Sequence, residues 1–160
     1  MKLRTKKIAI LLANGFEDSE FIYPYYRMQE EGAEVVRAAL DPQASYTGKH
    51  GVSTEADAAV ESLRAEDFDA VIIPGGKAPV ELRKSDAVIH FVKQMDGHAR
   101  VVAAVCHGGE VLVSANILRG RRATSVPSIQ EEMREAGAEW LDEEVVMDQN
   151  LITSRVPPDL

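Results

Sequence analysis

Short, unbroken apolar runs are the feature that most narrows the folds open to this chain of 160 residues. Four of them recur along the sequence, at residues 8–12, within 34–40, at 70–73 and at 101–105. Runs of this length, rich in Val and Ile, are typical of strands that are buried on both faces of a parallel sheet. The pattern therefore predicts a sheet that is covered on both sides.

Helical patterns lie between these predicted strands. Apolar residues recur at helical spacing within residues 21–29 and 88–95, and Gly32 and Gly97 follow as stop signals. A third helix is predicted between Pro127 and Gly137, because Pro favours helix starts and Gly favours helix ends. Strands that alternate with helices predict an α/β fold with a mostly parallel sheet. Hairpins are predicted at 46–54 and 145–154.

Composition limits the class of protein. The length fits one domain, and a single Cys cannot form an intramolecular disulfide, so packing alone must stabilise the fold. The net charge of −8 argues against binding to nucleic acid or anionic membrane. The apolar run at 8–13 is too short for a signal peptide, and no run approaches the length of a membrane span. We expect a cytoplasmic protein.

The segment around Cys106 is the strongest candidate for a reactive site. A predicted strand runs into Cys106, then His107, Gly108 and Gly109, and then an apolar helical stripe. Such an elbow presents a nucleophile at the carboxyl end of the sheet. The start of the helix is expected to lower the pKa of the thiol. The alternative is a buried structural cysteine, which is common in proteins.

Two further segments follow predicted strands and are expected at the same edge of the sheet. The first carries Glu17 and Asp18, whose carboxyls could contact the thiol or could simply begin a helix. The second carries Gly75 and Gly76, whose N–H groups could form an oxyanion hole or a plain tight turn. The four His residues show no metal-binding spacing, so neither a metal nor a cofactor is predicted.

These three segments together resemble the ThiJ/PfpI family, and its PfpI-like intracellular protease branch most closely. The resemblance rests on Gly-Phe-Glu-Asp at 15–18, Pro-Gly-Gly-Lys-Ala-Pro at 74–79 and Ala-Val-Cys-His-Gly at 104–108, with further matches as far as 152–155. It implies a flavodoxin-like three-layer sandwich with a nucleophile elbow. It also implies one domain over residues 1–160 that lacks the last helix of the family.

The resemblance assigns roles to the candidate residues. Cys106 is expected to be the nucleophile, Glu17 the acid at its sulfur, and His107 the base or orienting neighbour. We expect Glu17 to be protonated near neutral pH and to donate a hydrogen bond to the sulfur. The N–H groups of Gly75, Gly76 and His107 are the expected oxyanion donors.

One departure from the family weakens the prediction of peptidase activity. In the protease-like branch, the residue after Ala-Pro is usually a Glu that reaches a neighbouring subunit's His and completes a triad. This chain has Val80 at that position, followed by Glu81. A shift of one residue changes the direction of the side chain, so Glu81 is not a safe replacement.

Several functions stay open from the sequence. The resemblance implies a cysteine-dependent enzyme for stress protection that acts on carbonyl groups, as a glyoxalase, a deglycase or a peptide or amide hydrolase. It implies a small carbonyl or peptide substrate and a homodimer or hexamer. A thiol redox sensor is the alternative, and a holdase chaperone has little support.

Overall fold

The computed structural model describes residues 1–160 and contains eleven strands and five α-helices. The strands are β1 (Lys7–Leu12), β2 (Glu34–Ala39), β3 (Ser45–Thr47), β4 (Ser53–Glu55), β5 (Ala58–Ala59), β6 (Ala70–Ile73), β7 (Val101–Val105), β8 (Arg122–Ala123), β9 (Glu139–Trp140), β10 (Val145–Asp148) and β11 (Leu151–Ser154). The α-helices are α1 (Asp18–Glu30), α2 (Ala78–Leu82), α3 (Asp86–Gly97), α4 (Gly109–Ser114) and α5 (Gln130–Glu135). Short 3-10 helices occur at Val60–Ser62, Ala65–Asp67, Cys106–Gly108, Pro127–Ile129 and Pro157–Asp159.

A seven-stranded sheet in the order β10-β11-β7-β6-β1-β2-β5 forms the centre of the fold. Every neighbouring pair is parallel except β10 and β11, which form an antiparallel hairpin at one edge. The predicted α/β fold with a mostly parallel sheet is therefore confirmed. In β1, all of the residues from Ile8 to Leu12 are buried. Since successive side chains in a strand point to opposite faces, the sheet is covered on both sides.

Most of the predicted elements are present. Helices α1 and α3 and the two hairpins form where the spacing predicts them. The third predicted helix begins as a 3-10 turn and continues as α5. The short helix α2 was interpreted as part of a turn, and the two-residue strands β5, β8 and β9 were not predicted, because such short elements show no periodicity. No helix has the length and apolar character needed to cross a membrane.

The strand order explains why the three candidate segments meet. Strand β6 lies between β1 and β7, and all three run parallel. The loop after β1 carries Glu17, the loop after β6 carries the Gly75-Gly76 turn, and Cys106 directly follows β7. These loops consequently lie side by side at the carboxyl edge of the sheet, where α/β folds place their sites.

Candidate active site

Cys106 lies at a tight turn between a strand and a helix. Strand β7 ends at Val105, the 3-10 turn Cys106–Gly108 follows, and α4 continues the chain. Cys106 has a φ of 58°, a left-handed conformation that is uncommon for a residue with a side chain and often marks a functional site. A Cβ at Gly108 would lie 2.4 Å from the carbonyl oxygen of Ile73, so only Gly permits this close approach. Cys106 therefore lies at the tip of a tight strand–turn–helix elbow.

The loop after β6 packs directly against the loop after β1. Phe16 and Gly76 form an isolated antiparallel bridge, in which Glu17 N–H donates to the Gly75 carbonyl at 3.2 Å and Lys77 N–H donates to the Gly15 carbonyl at 2.8 Å. Phe16 itself is fully buried and anchors the contact. The bridge fixes the start of α1 relative to the turn beside Cys106.

Glu20, rather than Glu17, is the carboxyl that interacts most closely with the Cys106 thiol. The Glu20 side chain is fully buried, and its Oε1 accepts a 2.8 Å hydrogen bond from Gly75 N–H. Its Oε2 is buried without a hydrogen bond of ordinary geometry, but the thiol is close enough to the carboxyl to affect its pKa. The sequence analysis assigned the acid at the thiol to Glu17, and this is corrected to Glu20, three residues later.

Glu17 lies nearer the surface and faces basic groups. Its Oε1 is 3.2 Å from His50 Nε2 and its Oε2 is 3.5 Å from Lys49 Nζ. The loop that carries both basic residues is held by Asp18, whose carboxylate accepts the N–H groups of His50 and Val52 at 2.9 and 2.8 Å. Glu17 therefore adds negative charge near Cys106 without a hydrogen bond to its sulfur.

The buried acid and the thiol both have raised pKa values. Burial raises the pKa of Glu20 from 4.5 to about 7; the charge of Glu17 adds to the increase, while the hydrogen bond from Gly75 N–H and the contact with the Cys106 thiol oppose it. Burial also raises the pKa of Cys106 from 9.0 to about 12, and the negative charge of Glu20 is the next largest cause. The hydrogen bond from the His107 N–H lowers the pKa of Cys106, but by less than burial or the charge of Glu20 raises it. The expected lowering of the thiol pKa is therefore wrong in direction.

His107 contacts a carboxylate of its own chain. Its Nδ1 lies 3.2 Å from Oε1 of Glu110, in the first turn of α4. Glu110 was not identified from the sequence, although its position three residues after His107, at a predicted helix start, would have placed both on one face. His107 Nε2 makes no hydrogen bond to the protein, so this atom is free to exchange a proton.

The three predicted oxyanion donors differ in what their N–H groups contact. The N–H of Gly75 donates to Glu20 and is not free for a ligand, which corrects its assignment. The Gly76 N–H takes no part in the hydrogen bonds of the Phe16 bridge. The His107 N–H faces the sulfur of Cys106. Gly76 and His107 thus remain the candidate donors at this edge.

Cys106 does not lie in any of the larger clefts of the chain. The two largest, of about 530 Å³ each, are lined by residues of α1 and the β3-β4 hairpin in one case and by residues around Arg121 in the other. The site is therefore a shallow feature of a single chain. No group of three or more side chains suited to binding a metal comes together in the structure.

The comparisons with known proteins agree with this geometry. The sequence profile described as the DJ-1/PfpI family matches residues 6–160. The chain is 46% identical over 154 residues to the deglycase PH1704 of Pyrococcus horikoshii, covering 96% of this chain and 92% of the relative. It is 40% identical over 157 residues to general stress protein 18 of Bacillus subtilis, covering 97% and 91%.

One solved structure is very similar as well. It is a two-domain protein of Anabaena variabilis that contains DJ-1/ThiJ/PfpI-like and ferritin-like domains, and it superposes with a TM-score of 0.96 at 44% identity. The match covers 97% of this chain but 45% of that protein. The chain therefore spans about half of the two-domain protein and about nine tenths of the relatives described above.

Proposed function

Because the chain belongs to the DJ-1/PfpI family, we propose that it is a cysteine-dependent enzyme that acts on carbonyl groups, as a deglycase or a glyoxalase. The observation that carries the proposal is the placement of Cys106, in a strained elbow conformation, beside the buried carboxyl of Glu20. A nucleophile and a proton acceptor are thereby held together at the edge where this fold keeps its sites. The name of the deglycase relative supports the choice of reaction class.

The two pKa shifts suggest how the thiol is activated. With a pKa near 12, Cys106 is mostly a neutral thiol at pH 7 and needs a base. Glu20, with a pKa of about 7, is well suited to accept a proton and return it at neutral pH. As the sulfur attacks a carbonyl carbon, the S–C bond forms, the thiol proton passes to Glu20, and the C=O electron pair moves to oxygen.

The developing oxyanion needs hydrogen-bond donors. The N–H groups of Gly76 and His107 are the candidates, since backbone donors are rigid and need no reorganisation. His107 Nε2 would then exchange the proton that the substrate oxygen or leaving group requires. With methylglyoxal, proton transfer between the two substrate carbons converts the hemithioacetal on Cys106 into a lactoyl thioester, and water hydrolyses this thioester to lactate and the free thiol. With an adduct, the amine or thiol leaves with a proton as its bond to carbon is replaced by the bond to the Cys106 sulfur.

Peptide or amide hydrolysis is the less favoured enzymatic reaction. An amine leaving group needs a well-oriented acid, and the Glu that the family resemblance places after Ala-Pro is Val80 here. Val80 is 45% exposed and cannot donate or accept a proton. Attack on a small carbonyl compound does not depend on that residue.

A redox sensor is the second candidate, and Glu20 favours it too. Oxidation of the Cys106 thiol by two equivalents of hydrogen peroxide gives a sulfinic acid and two waters. A protonated Glu20 could donate a hydrogen bond to the sulfinate oxygens. The chain contains no second Cys, so a disulfide would need a partner.

A substrate panel separates these functions. Wild type and Cys106→Ser are incubated with methylglyoxal, with a methylglyoxal adduct of N-acetylcysteine and with a fluorogenic peptide, and turnover is followed over time. We expect loss of the carbonyl compounds with the wild type alone and little peptide cleavage. Peptide cleavage that depends on Cys106 would favour the hydrolase, and absence of any turnover with selective peroxide oxidation of Cys106 would favour the sensor.

A further inference from the structure

The contact between His107 and Glu110 lies beside the reacting residue but has no role in the mechanism so far. Glu110 Oε1 is 3.2 Å from His107 Nδ1, and the Glu110 side chain is largely buried, with 12% of its surface exposed. Its Oε2 is buried and has no hydrogen bond. Burying a carboxylate oxygen without a hydrogen bond costs free energy unless a nearby charge offsets it. A positive group is therefore expected close to Glu110.

Arg83, just after α2, provides part of that compensation. Its Nη1 lies 3.8 Å from Glu110 Oε2, close enough for charge attraction but too far for a hydrogen bond. The guanidinium is itself fixed, because its Nε donates to Ser114 Oγ at 2.9 Å and its Nη2 donates to Glu132. The Glu110 carboxylate is thus held between an arginine and the imidazole ring.

This arrangement determines which nitrogen of His107 carries the proton. A carboxylate can only accept a hydrogen bond, so a neutral His107 must place its proton on Nδ1 and present Nε2 as the acceptor. This tautomer leaves Nε2, which has no partner in the protein, facing away from Glu110 as the acceptor for a substrate proton.

We propose that Glu110 is a positioning residue that orients the His107 ring within the same chain and keeps the proton of the neutral ring on Nδ1. The inference rests on the proposed function, in which His107 exchanges a proton with the substrate. Glu110 belongs to the same chain as His107, whereas the Glu that the family resemblance places at the position of Val80 reaches the His from a neighbouring subunit. The site would then not depend on a neighbouring subunit for an acid at His107.

A double-mutant cycle tests the proposal with methylglyoxal as the probe. The variants are Glu110→Val, Glu110→Gln, His107→Ala and the double variant with Val and Ala, and Glu131→Gln on exposed α5 surface is the matched control. We expect Glu110→Val to lower kcat by about 10- to 100-fold with little change in KM. This is at or below the lower limit of the roughly 10²–10⁴-fold that general acid–base catalysis contributes, because Glu110 acts only through His107. Glu110→Gln should retain more activity, because its amide oxygen can still accept from Nδ1.

Two results separate positioning from a purely structural role. In the His107→Ala background, Glu110→Val should lower kcat by less than about twofold, since coupled residues are not additive. Alkylation of Cys106 by iodoacetamide, which needs no proton from His107, should stay close to the wild-type rate. Full additivity of the two losses, or unchanged kcat in Glu110→Val, would overturn the proposal.

The tautomer of His107 gives a readout that does not require turnover. Long-range ¹H–¹⁵N spectra of the wild type should show the proton on Nδ1, and Glu110→Val should shift the ring toward the Nε2 form. A wild-type ring with its proton on Nε2 would contradict the role of Glu110 by itself. If the wild type turned over no substrate, the proposed function would fail, while this spectrum would still decide whether Glu110 orients His107.

Discussion

Glu20 Oε1 accepts a 2.8 Å hydrogen bond from the Gly75 N–H across a separation of 55 residues. The bond joins the first turn of α1 to the loop after β6, and the same carboxyl interacts with the thiol of Cys106. A Cβ at Gly75 would lie 2.6 Å from that carboxyl oxygen, so no larger residue fits without a shift. Glu20 therefore holds the loop after β6 in place and is also the carboxyl whose pKa is raised beside the thiol.

The raised pKa of Glu20 predicts a specific pH dependence of stability. In the folded state Glu20 keeps its proton up to a pKa of about 7, whereas the ordinary pKa of a Glu carboxyl is 4.5. The stabilisation is complete below pH 4.5 and is lost as pH rises toward 7. At about 1.4 kcal/mol per pKa unit, the loss is about 3 kcal/mol. Glu20→Gln removes this loss and preserves an oxygen for Gly75 N–H.

Chemical denaturation of wild type and Glu20→Gln at several pH values between 4 and 8 measures the effect. The free energy of unfolding of the variant, minus that of the wild type, should rise by about 3 kcal/mol over this range. Glu17→Gln, at the residue just before α1, is the control and should not reproduce the rise. A difference that stays constant with pH would mean that Glu20 is not protonated preferentially in the fold.

The fold was largely predictable from the sequence because its signals are local. An unbroken apolar strand such as β1, and a helix such as α3 with Val88, Phe91 and Met95 on one buried face, are visible in a short window of sequence. Elements of two residues, such as β8 and β9, are defined only by their mutual pairing. Their existence depends on tertiary contacts, which no local pattern reports.

The site was predictable in its location but not in its acid. The order of predicted strands brings the loops of Cys106 and Glu17 to one edge, yet which carboxyl of α1 faces inward depends on the angle at which the helix enters. The Phe16–Gly76 bridge holds the residues just before α1, and it is Glu20 whose carboxyl interacts with the thiol. The raised thiol pKa was missed for the same reason, because burial and the charge of Glu20 are properties of the packed structure.

The reactivity of Cys106 should report the proton that it shares with Glu20. Interacting groups titrate as a pair, and the first proton of this pair is expected to leave near pH 7. The rate of alkylation by iodoacetamide should therefore rise through an inflection near pH 7 and rise again at high pH. In Glu20→Gln the inflection near pH 7 should disappear, because only the thiol then titrates.

The matched variant in this experiment is Glu17→Gln. Glu17 adds negative charge near Cys106 but makes no hydrogen bond to its sulfur, so the inflection should remain. If Glu17→Gln removed the inflection and Glu20→Gln kept it, the original assignment of the acid to Glu17 would be restored.

Replacement of Gly76 by Ala should disrupt the site more than its size suggests. Gly76 has a φ of 74°, and a Cβ there would lie 2.4 Å from both Glu17 N and Gly15 O. The left-handed conformation alone costs about 1–2 kcal/mol for a residue with a side chain, and the clash must add to this. We expect a loss of at least about 2 kcal/mol in the free energy of unfolding.

Gly120 offers a closely matched control for that substitution. Its φ of 75° is nearly the same, but a Cβ there would meet nothing within 4 Å. Gly120→Ala should therefore show the conformational cost without the clash, and denaturation of the two variants in parallel gives the difference. Equal losses in stability would show that the bridge between Phe16 and Gly76 can relax at little cost.

The last prediction is that the chain self-associates through the surface around residues 75–81. The family resemblance places this turn at a subunit contact, and Val80, 45% exposed, presents an apolar side chain there. Because Cys106 lies in no large cleft of one chain, a second copy packed beside this turn would also deepen the site.

Sedimentation velocity at tens of micromolar, a concentration that populates a weak dimer, should show a species larger than a monomer. Val80→Lys should shift it toward monomer, because an ammonium group is costly to bury at an apolar contact. Val145→Lys on the edge strand β10 changes a Val that is somewhat more exposed, at 56%, and should leave the association unchanged. A wild type that sediments only as a monomer, or a stronger effect from Val145→Lys, would refute the assignment of the interface to this turn.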